Sequence, residues 1–224
     1  MGDRDRKDTL FAEFARVGKA LGSPKRLELL DLLAQGERSV DALATVAGMS
    51  VTLTSAHLQT LRGAGLLAVR RDGTKAYYRL AGRDVAALYA ALRDLAAARL
   101  PDVAAAAASY LGADPDGVDE IDRDSLLELA RAGQVTVLDV RPAEEYAAGH
   151  IPDAISIPLA QLADRMAELP AGTEVVAYCR GAYCVLARDA VRLLAADGRA
   201  ARRLAEGMLE WRLAELPTVA GTPA

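Results

Sequence analysis

Both cysteines of the chain lie in one short segment, Tyr178-Cys179-Arg180-Gly181-Ala182-Tyr183-Cys184. Two thiols so close in sequence can exchange sulfur, close on each other or share a proton, and the reactive form of each is the thiolate. The segment follows the β-branched and aromatic run Glu174–Tyr178, which reads as a buried strand, and precedes residues 185–196, whose apolar positions recur at helical spacing. A strand-loop-helix unit of this kind is expected to place Cys179 over backbone N–H groups at the positive end of the following helix, a setting that favours thiolate. Arg180 adds a positive charge and Gly181 lets the backbone turn. With Ala182 and Tyr183, Gly181 forms the stretch whose amides would cradle an anion or a persulfide. The competing reading is a pair of buried apolar cysteines, but a C-R-G-x-x-C turn between strand and helix is poorly suited to filling a core.

The elements that must hold this loop come from a chain of 224 residues with 52% hydrophobic content, enough for one or two modest domains. Two cysteines and no signal peptide predict a reducing, cytoplasmic setting in which the pair is reactive rather than a structural staple. No apolar run approaches the roughly 20 residues that span a bilayer, so no membrane partner is expected. The net charge of −4 conceals an asymmetry: residues 1–100 carry 16 Lys+Arg against 11 Asp+Glu, net +5, and residues 101–224 carry 11 against 20, net −9. The basic half is the one expected to meet a polyanion.

In that half, residues 7–21 read as a helix with Leu10, Phe11, Phe14 and Val17 along a face expected to be buried. Ser23-Pro24 supplies an N-cap and a first-turn proline for a second helix through Leu33. Residues 39–47 form a short third helix, Gly48 turns the chain, and Ser50 caps a fourth helix to about Arg62. Two short helices joined through a glycine turn have helix-turn-helix form. On the fourth helix, Val51, Thr54, Leu58 and Leu61 are expected to face inward, leaving Thr52, Ser55, Ala56 and Gln59 to enter a groove and read base edges; Leu53 fits this register poorly. Residues 66–72 and 75–80 then form a hairpin across Gly73-Thr74, with Arg70 and Arg71 on one arm and Lys75 on the other, placed to grip phosphate.

With these residues, and especially with "MSVTLTSAHLQTLRGAGLLAVRRDGTKAYYRL", the first 100 or so residues resemble the winged-helix DNA-binding domain of the ArsR family of bacterial repressors. The resemblance implies a homodimer built on the first helix and on the helix over residues 82–100, where Val85, Leu88, Leu92 and Leu95 make an apolar stripe, and a two-fold-symmetric operator. His57, within the recognition-helix pattern, is a structural or phosphate-contacting side chain. Metal-sensing members of that family carry cysteines near the start of the third helix, where this chain has Ser39 and Val40, or ligands on the last helix, where it has no histidine. No metal site and no cofactor are expected, and the signal must enter elsewhere.

The alanine-rich stretch runs to Tyr110, and residues 111–119 read as a linker between a first domain, 1–110, and a second, 120–217. From Ile121 short strands alternate with helices, which predicts a parallel sheet covered on both faces, with reactive groups at the carboxyl ends of its strands. The expected fold class is therefore two domains, a mainly α winged helix-turn-helix followed by an α/β rhodanese-like sheet. The second half resembles a rhodanese domain in "VLDVRPAEEYAAGHIPDAISIP", in the loop "AYCRGAYC" and in the closing "LAEGMLEW" segment, although Asp153 and Glu206 stand where glycines are usual. The resemblance implies that Cys179 carries a sulfane sulfur, with Arg180 as electrostatic helper. Asp139 and Arg141 either orient the loop or simply pair with each other, and Glu145 and His150 are structural. A related phosphatase loop needs an arginine at the sixth position after the nucleophile, which here is Val185, so phosphate-ester hydrolysis is not expected. Cys184 either attacks a persulfide on Cys179 or packs under the helix.

The expectation is a homodimeric transcriptional regulator that binds operator DNA and senses reactive sulfur or oxidant through Cys179 with Cys184. Its small-molecule partner would be polysulfide, persulfide or thiosulfate. The alternative is a rhodanese-type sulfurtransferase with the winged helix as an accessory module. Arsenite capture by the two thiols is a third, weaker possibility.

Overall fold

The computed structural model of the protein describes residues 3–112 and 118–221. The chain divides into two compact units, residues 1–93 and 94–224, and each has its own apolar core.

In the first unit α1 (Asp3–Leu21), α2 (Pro24–Ala34), α3 (Val40–Val46) and α4 (Val51–Gly63) precede a hairpin of β2 (Leu67–Asp72) and β3 (Lys75–Leu80). A short strand not anticipated in the sequence, β1 (Arg38–Ser39), pairs with β3 and gives a sheet of order β1-β3-β2. α5 (Arg83–Arg99), which runs across the division at residue 93, and α6 (Pro101–Leu111), which lies beyond it, follow. The two short helices start where hydroxyl side chains accept an orphan backbone N–H, Ser39 from Ala42 and Ser50 from Leu53, each at 3.2 Å and each worth about 1 kcal/mol. Ser23 occupies the N-cap of α2 but its side chain makes no capping bond, so Pro24 at the first helical position and the Ser23 carbonyl carry that terminus. In the hairpin Asp72 faces Lys75 across a two-residue turn, and Gly73 sits at φ 56°, where a side chain would be strained.

In this unit one apolar face stays open on the single chain, and one packing expectation fails. Leu10, Phe11 and Phe14 on α1 are 51%, 56% and 61% exposed, so the face expected to be buried is open on the single chain, and only Val17 packs against the core. On α4, Thr54, Leu58 and Leu61 are buried as expected, but Val51 is 49% exposed, because the first turn of the helix projects beyond the core; Leu53 is also exposed.

The second domain is a five-stranded, wholly parallel sheet of order β4-β8-β7-β5-β6. Its strands are β4 (Glu120–Ile121), β5 (Val135–Asp139), β6 (Ile155–Ser156), β7 (Glu174–Tyr178) and β8 (Ala201–Leu204), and its helices are α7 (Arg123–Arg131), α8 (Ala143–Ala148), α9 (Leu159–Arg165), α10 (Leu186–Ala196) and α11 (Met208–Leu213). Side chains of β7 alternate between two cores, as a strand's period of two requires. Val175, Ala177 and, one step beyond the strand, Cys179 face the core that includes Ala187, Ala190, Val191 and Leu194 of α10. Val176 and Tyr178 face the core that includes Leu126, Tyr146, Met208 and Trp211. Burial on both faces explains why β7 reads as an unbroken apolar run.

Most of the expected linker, residues 113–117, lies outside the described residues. Its ends belong to ordered elements: Leu111 closes α6, Val118 is buried in the α10 core, and the Asp119 carbonyl accepts from Arg203 N–H at 2.9 Å. Asp153 holds the left-handed conformation at φ 62° despite its side chain. Among the described residues no helix is long and apolar enough to cross a membrane.

Candidate functional site

Cys179 leaves the carboxyl end of the central strand β7 and the chain then curls back to start α10. The curl is clamped from the far side of the sheet: Met208 N–H donates to the Cys179 carbonyl and Leu209 N–H to the Arg180 carbonyl, both at 3.0 Å. Gly207 makes this approach possible, since a Cβ there would stand 2.5 Å from Gly181 Cα and 2.7 Å from the Arg180 carbonyl carbon. Within the curl Cys184 N–H donates to the Gly181 carbonyl at 3.1 Å.

Under the loop lies a buried polar base. Asp139 and Arg141, both fully buried, form an ion pair at 2.6 Å. The Tyr178 hydroxyl donates to Asp139 at 2.6 Å and accepts from Ile151 N–H at 3.1 Å, and Arg141 also donates to the Gly149 carbonyl at 2.9 Å. Burial, then the Asp139 charge, push the Tyr178 hydroxyl well above its usual range, so it stays a donor. Of the two roles open to Asp139 and Arg141, pairing with each other is the one the geometry displays, and Tyr178 carries that pair to the strand that ends at Cys179.

Arg180 makes a two-pronged salt bridge to Glu145 of α8, with Nε 3.0 Å from both carboxylate oxygens and Nη2 2.6 Å from Oε1. Glu145 is 1% exposed. The sequence assigns Glu145 only a structural part, yet it fixes the one basic side chain of the loop, and nothing in "PAEEYAAGH" distinguishes it from Glu144. The buried His150 ring stacks on Tyr146 at 3.6 Å and Nδ1 lies 2.9 Å from the Tyr146 carbonyl.

The two thiols are not equivalent. Cys179 is 2% exposed; its Sγ lies 3.5 Å from the Cys184 carbonyl and 3.9 Å from the Gly181 carbonyl, acceptors that suit a protonated sulfur. Burial pushes its thiol well above the ordinary cysteine value, and the hydrogen bond it makes with Cys184 pushes the same way, against the opposing pull of the Ala187 and Gly181 N–H groups. Cys184 is half-buried. The hydrogen bond from Cys179, with the N–H groups of Arg180 and Leu186 and the Arg180 charge, outweighs burial and lowers its thiol to about 7. The sequence expects Cys179 to hold the thiolate, and it is burial that opposes a charge there. Leu186 and Ala187 open α10, so first-turn amides serve both sulfurs, Leu186 that of Cys184 and Ala187 that of Cys179. Gly181 is buried, Ala182 half-buried and Tyr183 36% exposed at the mouth of the loop.

On the winged unit, Thr52, Ala56 and Gln59 are exposed and Ser55 and His57 half-buried. Gln59 Nε2 donates to the Tyr78 hydroxyl at 2.7 Å, which ties the recognition helix to the wing. Arg71 and Lys75 are exposed on the hairpin. Arg70, expected to grip phosphate with them, is held by Glu37 at 2.7 Å and Asp72 at 3.4 Å and lies over the Tyr77 ring, 4.7 Å from its centroid. Among the described residues no group of three or more His, Cys, Asp or Glu side chains could hold a metal.

Comparison with known proteins matches both units. The bacterial regulatory protein arsR family matches residues 23–69 and the rhodanese-like domain matches residues 122–214. A sulfurtransferase of Allochromatium vinosum is 36% identical over 46% of this chain and 96% of its own length. The solution structure of a homodimeric winged helix-turn-helix DNA-binding domain from Mycobacterium bovis, fragment 1–100 of Mb0332, is 53% identical with a TM-score of 0.41, covering 45% of this chain and 93% of that one. Over nearly the full length, 99% of this chain and 97% of the relative, the sequence is 56% identical to the HTH-type transcriptional regulator Rv0324 of Mycobacterium tuberculosis. A likeness that runs through both units and the joint between them decides the assignment: the chain belongs to the ArsR-type helix-turn-helix transcriptional regulators that carry a C-terminal rhodanese domain.

Proposed function

We propose that this regulator takes its signal at the Cys179–Cys184 pair, and that reaction of the pair with sulfane sulfur or an oxidant changes its affinity for operator DNA. One observation carries the reading: two free thiols share one short curl, with the Cys179 sulfur donating to the Cys184 carbonyl at 3.5 Å, at the carboxyl end of the central strand of a regulator's second domain. A thiol ionised near neutral pH reacts with the outer sulfur of a polysulfide, a persulfide or thiosulfate, and the cytoplasm is where such a protein would meet both donor and DNA.

On the DNA side, Thr52, Ser55, Ala56 and His57 are the groups offered to base edges, and Arg71 and Lys75 those offered to phosphate. The exposed apolar side chains Leu10, Phe11 and Phe14 on α1, with Leu88 and Leu95 on α5, are the faces a second copy would cover, and a two-fold dimer would present two α4 helices to a symmetric operator. Coupling requires the reduced and modified pair to favour different arrangements of that dimer.

The likeness to the Allochromatium vinosum sulfurtransferase favours a second reading, in which the domain turns over sulfur and the winged unit only dimerises. One experiment separates them. Operator fragments are selected from a random duplex library, and their affinity for the full chain and for Cys179→Ser is measured by fluorescence anisotropy at fixed salt, with and without inorganic tetrasulfide. Regulation predicts at least a tenfold change for the natural chain and none for the variant; equal responses of the two overturn it. Steady turnover of thiosulfate with no operator selected supports the second reading.

A further inference from the structure

We infer that the loop takes sulfane sulfur from donors of low charge, such as a hydropersulfide R–S–SH, and discriminates against the thiosulfate dianion, because its one cation is already balanced by Glu145. This rests on the sulfur-sensing reading above and names the donor class within it.

Charge around the curl is matched before any donor arrives. From Cys179 through Ala187 the sequence holds one charged side chain, Arg180. Its Nε lies 3.0 Å from both carboxylate oxygens of Glu145, and its Nη2 2.6 Å from Oε1. Glu145 is 1% exposed, so drawing Arg180 away toward a ligand would strand a buried carboxylate, which is costly. The neighbouring arginines are engaged as well. Arg141 pairs with Asp139 at 2.6 Å in the buried base, Arg212 donates to the Gly149 carbonyl at 3.1 Å, and Arg188 lies 3.6 Å from Glu120. What remains for an anion is the set of backbone N–H groups of the curl, which carry only partial charge. The half of the chain around them, residues 101–224 with 11 Lys+Arg against 20 Asp+Glu, adds a net −9.

Donors differ in the charge they bring to that setting. A loop thiolate that attacks the outer sulfur of R–S–SH breaks the donor S–S bond; the electron pair leaves with R–S⁻, and the loop cysteine carries –S–SH. One negative charge enters the step and one leaves. The same thiolate attacking thiosulfate breaks the bond between its two sulfurs; sulfite leaves as a dianion, and the loop cysteine carries –S–S⁻. Three negative charges must then meet, and their repulsion grows as water is excluded from the half-buried curl.

The test measures initial rates of sulfur uptake by the full chain from thiosulfate and from cysteine hydropersulfide. Samples quenched with excess N-ethylmaleimide are read by mass spectrometry, which separates the untouched loop, the loop with added sulfur and a loop closed into a disulfide. Sodium chloride, which screens repulsion and attraction alike, should raise the thiosulfate rate and leave the hydropersulfide rate within about twofold. A thiosulfate rate that falls with salt means that an unbalanced cation receives the dianion; it overturns the inference on the natural chain, with no variant having to fold. In Glu145→Gln, where Arg180 loses its counter-charge, the ratio of thiosulfate to hydropersulfide rates should rise about tenfold. An unchanged ratio, in a variant whose circular dichroism matches the natural chain, also overturns it. Uptake from neither donor overturns this inference and the sulfur-sensing reading together. The expected salt and ratio effects, with an operator affinity unmoved by hydropersulfide, support the donor choice and sink only the regulatory reading.

Discussion

The winged unit and the thiol loop spend their charged and polar side chains in opposite ways. On the wing Arg71 and Lys75 are exposed, and even the salt bridges of Arg70 lie at the surface. Around the loop, by contrast, the ion pairs Asp139–Arg141 and Arg180–Glu145 are buried wholly or nearly so. A surface that must meet a polyanion keeps its charges in water, where each is worth little to stability. A loop that must hold a sulfur in one place is built on charges removed from water, where losing one partner is costly. The same division applies to apolar groups, left open on α1 and closed over on both sides of β7.

The sharpest way to break this contrast is to remove one partner of the buried pair. Asp139→Ala or Arg141→Ala should each destabilise the second domain by about 3–5 kcal/mol, because the remaining charge is stranded, and urea unfolding followed by circular dichroism of the full chain measures it. An unchanged midpoint would mean that the pair is not structural. Gly207→Ala comes next. Its Cβ cannot fit against Gly181 and Arg180, so the loop must lift, at a cost of about 1–3 kcal/mol. The lift should carry Arg180 away from Cys184 and raise the pH midpoint of Cys184 alkylation above about 7; a midpoint that stays put would show that the clamp does not set the site. The smallest effect tests the exposed half. Arg71→Ala and Lys75→Ala should each weaken binding to every DNA sequence alike and lower the salt dependence by about one unit of slope. Arg70→Ala should change the slope by less than either, since its guanidinium is already engaged by Glu37 and Asp72.

Much of the architecture was legible in the residues. The hairpin could be placed from Gly73-Thr74 between two β-branched and aromatic runs, and β3 begins and ends at Lys75 and Leu80 as read. β7 was also readable to the residue, because a strand buried on both faces writes a continuous apolar run. Less was legible where a contact depends on distant chain. β1 has two residues and exists only because β3 is beside it. Val51 fits the inward period of α4 but lies past the edge of the core, and periodicity carries no information about where a core stops. Arg70 and Arg71 are indistinguishable in sequence, and Glu37, 33 positions away from Arg70, separates their roles.

The site divides in the same manner. Local sequence alone determined that the two thiols share a strand-loop-helix turn, since the apolar run, the glycine and the helical repeat are all contiguous with them. How deeply each thiol is buried was decided only by the tertiary structure. Burial of Cys179 depends on α10 packing against β7, and the Arg180 charge beside Cys184 is held by a carboxylate 35 positions earlier in the chain. The loop's descent over both depends on the absence of a side chain at Gly207. Proton affinity is set by desolvation and by the groups within hydrogen-bonding reach of the sulfur, and those are properties of the folded neighbourhood rather than of the order of residues.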